Sequence, residues 1–400
     1  MKIYIIDELC NGCKICFKKC NYGAIDIIDH KAKINSNCTY CGICVNACPK
    51  RAVILEIVEG KIEDTRGDIW VYLEMYEDKV IESSLELLSC ARELKIDETS
   101  KVCGIFIGNS IGREEIQRVA QAGAQKLIKI QNFVFRDYDV FKYSKSLEWL
   151  TRQKKPSAFL FPATETGRDI APSLATMLET GLTADCTELS IDLKTGLLVQ
   201  TRPAFGGDLM ASIICPNGRP QMATVRPHSY KVRKFEVKNF EEEEVNLTVQ
   251  FKINCNENLR IIEKKPVESK FPKIDEQKII IAVGRGIGNE ENLKLVYSFA
   301  KNVGAGIACS RPIVDKGWLP HELQVGLSGK TIAPKIYIAL GISGSIQHIV
   351  GMQSSEYIIA VNRDENAPIF KVAHLGIVGD LKRVLPEMSK LLSRMNSSNN

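Results

Sequence analysis

Eight cysteines in the first 48 residues constrain the fold of this 400-residue chain more than any other feature. They form two runs with the same spacing, Cys10-x2-Cys13-x2-Cys16-x3-Cys20 and Cys38-x2-Cys41-x2-Cys44-x3-Cys48. A [4Fe–4S] cubane needs four thiolates, and three of them commonly come from one loop at this spacing. The alternatives are a disulfide framework and a zinc site, but zinc usually takes two pairs of ligands rather than two runs of four. The runs therefore predict two [4Fe–4S] clusters.

The fourth cysteine of each run is expected to ligate the cluster of the other run, as in the bacterial two-cluster arrangement. One cluster would then be held by Cys10, Cys13, Cys16 and Cys48. The second would be held by Cys38, Cys41, Cys44 and Cys20. The second run is followed by Pro49 but the first by Asn21. Because a proline adds apolar cover, we expect the cluster that Cys20 ligates to be more hydrated, with an altered potential.

Length and charge limit the remaining possibilities. Four hundred residues predict two or three domains. No apolar stretch approaches the roughly 18 to 20 residues that span a bilayer, and the N-terminus is too short in its apolar part for a signal peptide. We therefore expect a cytoplasmic protein without a membrane partner. A net charge of +5 does not favour nucleic acid, and the acidic run Glu241 to Glu244 is expected to be a solvated turn.

The chain after the cysteine runs alternates between strand and helix signals. Residues 1–62 are expected to form a ferredoxin-like α+β module, and residues 67–262 a Rossmann-like α/β base domain. The base-domain signals predict strands at 69–73, 102–107, 126–130 and 158–162 and helices at 82–94, 113–122 and up to 178. This alternation is typical of an open, largely parallel sheet with helices on both faces. Strict apolar alternation from Val245 to Ile253 predicts one further half-buried strand.

A second α/β domain is expected at the C-terminal end. Residues 263–277 are rich in Lys, Glu and Pro and are predicted to be a linker. A buried strand follows at 278–283, then the turn Gly284-Arg285-Gly286-Ile287-Gly288 and a helix at about 290–303. Such a turn lets a dinucleotide phosphate approach a helix N-terminus. It is not a strict GxGxxG, so a purely structural strand-to-helix turn remains the alternative.

Longer sequence blocks carry a more specific signal. Five of them are SRPIVDKGWLP (310–320), QVGLSGKTIAP (324–334), YIALGISGSIQHIVGM (337–352), AVNRDENAPIF (360–370) and GIVGDLKRVLPE (376–387). These blocks resemble the FAD domain of electron-transfer flavoprotein α subunits. Two earlier blocks, at 162–186 and 202–227, resemble that family's first domain. The resemblance covers roughly residues 68 to 400, and it implies that residues 278–400 form a doubly wound FAD-binding domain.

The resemblance also implies cofactor contacts, position by position. Arg311 matches an arginine over the flavin ring, where a fixed cation favours reduced forms. His348 matches a histidine that donates to the pyrimidine side of the flavin, and Ser328 matches a hydroxyl near flavin N5. The other implied FAD-binding positions are Arg285, Ser310, Val325, Gly326, Leu327, Ser343, Gly344, Ser345, Ile346, Gln347, Asn362, Asp380 and Leu381. Many family members carry Gln where Leu327 stands, so no role is carried over for Leu327. No catalytic residue is expected.

The implied function is electron transfer by an α subunit that pairs with a β subunit. The fused cluster module favours the bifurcating class, in which NADH sends one electron to ferredoxin and the other, through the FAD of the α subunit, to a partner flavoprotein. That partner would be of the acyl-CoA dehydrogenase type, or alternatively of the lactate dehydrogenase type. A non-bifurcating carrier with purely structural clusters is a further alternative. A self-sufficient reductase is disfavoured because no acid–base constellation accompanies the flavin blocks. Hydrolysis is rejected because Gly341 to Ser345 departs by one residue from the hydrolase elbow.

Overall fold

The structure is a computed structural model that describes residues 2–38, 42–56, 67–94, 100–204, 209–247, 261–263, 265 and 271–398. The chain divides into two compact units, Met1–Ile62 and Glu63–Asn400. Within the described ranges, no helix combines the length and the apolar character that crossing a lipid bilayer requires.

The first unit repeats one short pattern, in which a cysteine run leads into a helix and then a strand. The elements are β1 (Lys2–Ile5), α1 (Ile15–Lys19), β2 (Ile25–Ile28), β3 (Lys31–Ile34), α2 (Ile43–Ala47) and β4 (Val53–Glu56). Strand β1 pairs antiparallel with β4, and β2 pairs antiparallel with β3. The third cysteine of each run lies in a helix, and both Cys16 and Cys44 belong to the apolar core. The side chains of these two cysteines are therefore part of the packed core of the first unit.

The second unit begins with a seven-stranded, wholly parallel sheet. Its strands, in spatial order, are β11 (Leu182–Cys186), β15 (Gln221–Val225), β10 (Ala158–Pro162), β5 (Ile69–Leu73), β8 (Val102–Gly108), β9 (Lys126–Gln131) and β16 (Glu241–Glu244). The helices that flank it are α3 (Glu82–Leu94), α4 (Arg113–Gln121), α5 (Val140–Lys154) and α6 (Glu165–Leu178). Successive side chains of β5 alternate between two apolar clusters, with Val71 in one and Trp70 and Tyr72 in the other. Both faces of the sheet are therefore covered, as the strand and helix alternation predicted.

The acidic run Glu241 to Glu244 corrects one sequence-based expectation, because it is a strand rather than a solvated turn. It forms β16, the edge strand that pairs in parallel with β9. Lys129 Nζ lies 2.7 Å from Glu242, and Lys126 Nζ lies 2.7 Å from Glu243. Adjacent carboxylates are tolerated in this edge strand because lysines face Glu241, Glu242 and Glu243. The predicted strand at 245–253 lies mostly outside the described residues, and 245–247 are not in a strand.

Two smaller sheets in this unit had no sequence signal that we identified. Strands β12 (Glu188–Ile191), β13 (Leu198–Ala204) and β14 (Leu209–Ile213) form an antiparallel meander. Strands β6 (Met75–Tyr76) and β7 (Lys79–Val80) form a short hairpin after β5.

The C-terminal part of the unit is a five-stranded parallel sheet with its own core. Its spatial order is β18 (Gly306–Cys309), β17 (Ile279–Val283), β19 (Ile336–Leu340), β20 (Tyr357–Asn362) and β21 (Leu375–Val378). The helices are α7 (Leu293–Val303), α8 (Arg311–Asp315), α9 (Ile346–Ile349) and α10 (Leu381–Ser398). Ile274, inside the predicted linker, packs into this core. The chain is therefore a mixed α/β protein with parallel-sheet domains.

Candidate cofactor sites

Backbone amides are directed at three of the predicted cluster ligands in the N-terminal unit. Ala32 N donates to Cys10 Sγ at 3.5 Å, Ala24 N to Cys20 Sγ at 3.3 Å, and Ala52 N to Cys48 Sγ at 3.3 Å. Hydrogen bonds to the ligating sulfurs stabilise the negative charge of an iron–sulfur centre and help to set its potential. Seven of the eight predicted ligands lie among the described residues, and Cys41 lies outside them.

The fold brings the fourth cysteine of each run to the opposite run. Burial raises the pKa of the Cys16 thiol, and the negative charges of Cys48, Cys10 and Cys13 raise it further. Cys48 therefore lies within electrostatic range of Cys16. On the other side, Cys20 lines a small cavity together with Cys38 and Cys44. These placements are compatible with the predicted crossed ligands, although no three Cys, His, Asp or Glu side chains of the described residues are already arranged to hold a metal ion.

A cleft lies at the carboxyl edge of the five-stranded sheet. Parallel strands end at the same edge, so the loops that follow β17, β18, β19 and β20 meet there. Six of the predicted FAD-binding residues line the cleft, namely Arg285, Ser310, Ser343, Ser345, His348 and Asn362. Residues that are far apart in the sequence are thus gathered into one site.

Glycines let two of these loops pack backbone against backbone. Gly286 N donates to the Gly341 carbonyl at 2.9 Å, and Gly341 has a φ of 61°. A Cβ on Gly341 would lie 2.6 Å from the carbonyl carbon of Gly286. Gly344 has a φ of 86°, and a Cβ there would lie 2.2 Å from Ile369 N. These contacts are structural, so the glycines of the first turn are explained by loop packing as well as by any ligand.

His348 is buried in the wall of the cleft, with 5% of its surface exposed. Its Nε2 lies 2.8 Å from the Tyr337 hydroxyl, and its Nδ1 is buried without a hydrogen-bond partner in the described part of the chain. Burial lowers the pKa of His348 to about 4, and the nearby backbone of Val325 only partly opposes this shift. A buried polar atom without a partner costs free energy, which a hydrogen-bonding ligand in the cleft would recover. This atom is the clearest sign that the cleft is made for a polar cofactor.

Ser310 and Arg311 stand at the start of α8, beside the same cleft. Ser310 is buried, and its side chain makes no capping hydrogen bond to the helix. The Arg311 side chain is 70% exposed, and its Nε lies 3.6 Å from Asp315. A long, exposed ion pair of this kind holds an arginine only weakly. Arg311 is therefore a cation that can be redirected toward a bound anionic or electron-rich group.

The segment 325–328 is tied to the loop that carries His348. Leu327 N donates to the Gln347 carbonyl at 2.6 Å, and Gln324 Nε2 donates to Ser328 Oγ at 3.0 Å. The backbone of Leu327 therefore positions the loop although its side chain has no polar group. Sequence reasoning missed Gln324, whose buried amide fixes the Ser328 hydroxyl.

Asn362, Asp380 and Leu381, three of the implied FAD-binding positions, have other partners in the structure. Asn362 Nδ2 donates to the Ile342 carbonyl at 2.9 Å and so fixes the loop after β19. Asp380 accepts from Lys382 N at 2.9 Å and pairs with Arg363 at 2.6 Å. The backbone amide of Lys382 in the first place, and then Arg363, lower the pKa of Asp380. Leu381 is buried in the core, so these positions support the edge of the sheet.

Comparison with family models gives three matches along the chain. The model described as "Electron transfer flavoprotein domain" matches residues 69–249, and "Electron transfer flavoprotein FAD-binding domain" matches residues 273–353. The model described as "4Fe-4S dicluster domain" matches residues 2–62. The three matches thus fall on the base sheet, the five-stranded sheet and the cysteine-rich unit.

Curated relatives are similar over most of their length. Protein FixB of Clostridium saccharobutylicum is 43% identical, over 82% of this chain and 96% of the relative. The electron transfer subunit beta of acryloyl-CoA reductase of Anaerotignum propionicum is 40% identical, over 80% of this chain and 94% of the relative. The subunit LctC of lactate dehydrogenase (NAD(+),ferredoxin) of Acetobacterium woodii is 39% identical, over 93% of this chain and 88% of the relative.

The match to LctC differs from the other two in its extent. Coverage of 93% corresponds to about 372 of the 400 residues, whereas the second unit, from Glu63 to Asn400, has 338. The similarity to LctC therefore extends into the cysteine-rich unit.

Proposed function

Because this chain belongs to the electron-transfer flavoprotein α-subunit family and carries an added 4Fe–4S dicluster module, we propose that it is the electron-carrying α subunit of an NADH-dependent bifurcating complex. Its cofactors are FAD and [4Fe–4S] clusters. Family membership implies a β subunit and a dehydrogenase-type flavoprotein as partners. The observation that carries the proposal is the similarity to LctC, which includes the cluster module and whose name states both NAD(+) and ferredoxin.

The proposed organisation has three domains and a connecting segment. Residues 1–62 hold the clusters, residues 67–262 form the base domain, and residues 278–400 bind FAD. The linker is proposed at 263–277. Since Ile274 packs into the core of the FAD-binding domain, we expect only the part of the linker before it to permit a change in domain orientation.

The residues proposed to hold FAD are those gathered at the carboxyl edge of the five-stranded sheet. When bound, FAD exchanges electrons singly or in pairs, and each cluster exchanges one. The hydroxyls of Ser310, Ser343 and Ser345 and the guanidinium of Arg285 offer polar groups to the cofactor. His348 offers its unpartnered nitrogen, and Arg311 offers a cation at the rim.

The proposed cluster ligation is crossed between the two runs, with Cys48 joining Cys10, Cys13 and Cys16. The presence of Cys20 beside Cys38 and Cys44 supports this assignment. Replacement Cys48→Ala is expected to damage the cluster of the first run, as measured by iron content and EPR. Cys215→Ala, which changes a half-buried cysteine outside both runs, is the matched control. Loss of only the second run's cluster in Cys48→Ala would contradict the crossed assignment.

Reconstitution of the whole complex tests the function. The chain is co-expressed with its β subunit, and FAD, iron and subunits are counted. The heterodimer is then mixed with NADH, ferredoxin and an acyl-CoA dehydrogenase-type partner with its enoyl-CoA substrate. We expect ferredoxin to be reduced only while the enoyl-CoA is reduced. Full cofactor loading with NADH-dependent reduction of the partner but none of ferredoxin would instead identify a non-bifurcating carrier.

A lactate dehydrogenase-type partner is the second candidate. The similarity to LctC over the cluster module favours it, whereas the match to the acryloyl-CoA reductase subunit covers 80% of this chain. Ferredoxin reduction coupled to the lactate and pyruvate couple, and not to an enoyl-CoA, would select this candidate.

A further inference from the structure

Tyr337 is a buried polar side chain that is not among the predicted site residues. It lies in β19 with none of its surface exposed, and the strand is otherwise apolar. Its hydroxyl is 2.8 Å from Nε2 of His348, and this is the hydrogen bond that the described residues give it. A buried tyrosine hydroxyl normally needs such a partner. The pair therefore links the centre of the sheet to the wall of the cleft.

The direction of this hydrogen bond follows from the partners that are available. If Nε2 carried the proton and donated, the Tyr337 proton would have no acceptor among the described residues, and Nδ1 would be an unused acceptor. If Tyr337 donates, the hydroxyl proton is satisfied and only the Nδ1 proton lacks a partner. Each arrangement leaves one buried donor without a partner, but the first also leaves Nδ1 as an unpaired acceptor, so the second arrangement is favoured.

Both side chains remain uncharged near neutral pH, so the imidazole carries its single proton on either Nδ1 or Nε2. Burial lowers the pKa of His348 to about 4 and raises that of Tyr337 well above its ordinary value. Tyr337 therefore keeps its proton, and His348 carries a single proton. The hydrogen bond between them is then what decides the tautomer of His348.

We propose that Tyr337 is a positioning residue that donates to Nε2 of His348 and so holds the histidine as the Nδ1-protonated tautomer, a ready donor for an acceptor atom of bound FAD. This inference rests on the proposed function of the cleft. The histidine is thus set as a donor before the cofactor arrives, so no rearrangement of the protein is needed to make the hydrogen bond. Tyr337 acts through His348 and does not itself touch the cofactor.

The test combines the conservative variant Tyr337→Phe with a matched control. Tyr143→Phe also removes a buried hydroxyl that makes one hydrogen bond, to the Phe135 carbonyl at 3.0 Å, but it does so in the base domain. The heterodimer is labelled with 15N-histidine, and the His348 signals are assigned by their loss in His348→Asn. Long-range proton–nitrogen correlation then reports the tautomer with and without FAD.

The wild type is expected to show the Nδ1-protonated form even without FAD. Tyr337→Phe should lose this single tautomer, shift the flavin midpoint potential and weaken FAD binding about 2- to 10-fold, the value of one neutral hydrogen bond. Tyr143→Phe should change none of the three. An Nε2-protonated His348 in the wild type would overturn the proposal even if Tyr337→Phe failed to fold. An Nδ1-protonated wild type without FAD binding would instead contradict the proposed function of the cleft.

Discussion

Glu74 and Thr164 follow two neighbouring strands, β5 and β10, at the carboxyl edge of the seven-stranded sheet. Strand β5 lies between β8 and β10, and the chain leaves β5 toward β8 but leaves β10 toward the opposite end of the sheet. In the five-stranded sheet, β17 lies in the same way between β18 and β19. Such switch points are where open parallel sheets bind ligands. The two sheets therefore have the same topological position for a ligand, but the side chains around that position differ.

In the base sheet this position is filled by the protein's own side chains, and we call it the closed edge. We call the equivalent position in the five-stranded sheet the open edge. The Thr164 hydroxyl donates to Glu74 Oε2, and Gly167 N donates to Thr164 Oγ1 at 3.0 Å. The Tyr138 hydroxyl donates to Asp169 at 2.8 Å in the same region of α6. In the five-stranded sheet, by contrast, a buried nitrogen of His348 is left without a partner in the described part of the chain. The strand order provides an equivalent position in both sheets, and the local side chains determine whether a ligand can bind there.

The largest effects are expected when one glycine at each edge is replaced by alanine. The replacement should weaken FAD binding at one edge and lower stability at the other. Gly344→Ala is expected to weaken FAD binding more than tenfold, because its Cβ would lie 2.2 Å from Ile369 N in a left-handed backbone. Gly167→Ala, whose Cβ would lie 1.8 Å from the Pro162 carbonyl oxygen, should destabilise the base domain by about 2–3 kcal/mol and leave FAD binding unchanged. Fluorescence titration with FAD and urea unfolding measure the two effects.

The control for both substitutions is Gly112→Ala, where a Cβ meets open space. It should change stability by no more than about 0.5 kcal/mol. A Gly167→Ala variant that lost FAD as strongly as Gly344→Ala, at wild-type stability, would show that the base edge also takes part in FAD binding.

Acid should destabilise the open edge when FAD is absent. The folded-state pKa of His348 is about 4 against 6.5 for an ordinary histidine, so the unfolded chain gains the proton first as the pH falls. Stability is therefore complete above about pH 6.5 and is lost as the pH falls from there toward 4. Between pH 7 and pH 5 the loss is about 2 kcal/mol. Urea unfolding of FAD-free wild type and His348→Gln at both pH values checks this, since the variant should show a weaker dependence.

Arg311→Ala should affect the cofactor's potential and leave the protein's stability nearly unchanged. The side chain is exposed and its ion pair is long, so the loss of stability is expected within about 0.5 kcal/mol. Removal of a cation near the flavin disfavours its reduced form and should lower the midpoint potential by about 30 mV, or about 1.4 kcal/mol for two electrons. Redox titration of Arg311→Ala is compared with that of Lys301→Ala, which removes another exposed cation of this domain. Equal potentials in the two variants would remove Arg311 from the cofactor site.

The closed edge should show the smallest effect, and with the opposite pH dependence. Burial raises the pKa of Glu74, while hydrogen bonds from Thr164 and Thr166 oppose the shift. A raised carboxyl pKa means that stability is present below about pH 4.5 and is lost as the pH rises through the folded-state pKa. Glu74→Gln keeps an acceptor for Thr164 and needs no charge, so at pH 7.5 it should be neutral or stabilising by up to about 1 kcal/mol. A clear loss of stability at pH 7.5 would mean that the carboxylate is needed in its charged form.

Much of the fold and part of the site were predictable because their signals are local. Cysteine spacing is read directly from the sequence, and the strands of the base sheet carry continuous apolar runs such as Ala158–Pro162. The strand Glu241–Glu244 was missed because its stability depends on Lys126 and Lys129, more than a hundred residues away. Tyr337 was missed for the same reason, since only the folded sheet brings its hydroxyl to His348. The cleft needed the strand order, which no single segment contains.

Hydrogen–deuterium exchange on the heterodimer, with and without FAD, tests the contrast between the two edges most directly. FAD is expected to slow exchange in residues 284–288 and 341–348, at the open edge. Residues 163–168, at the closed edge, should exchange at the same rate in both samples. Protection by FAD at 163–168 without protection at 341–348 would contradict the assignment of the cofactor to the five-stranded sheet.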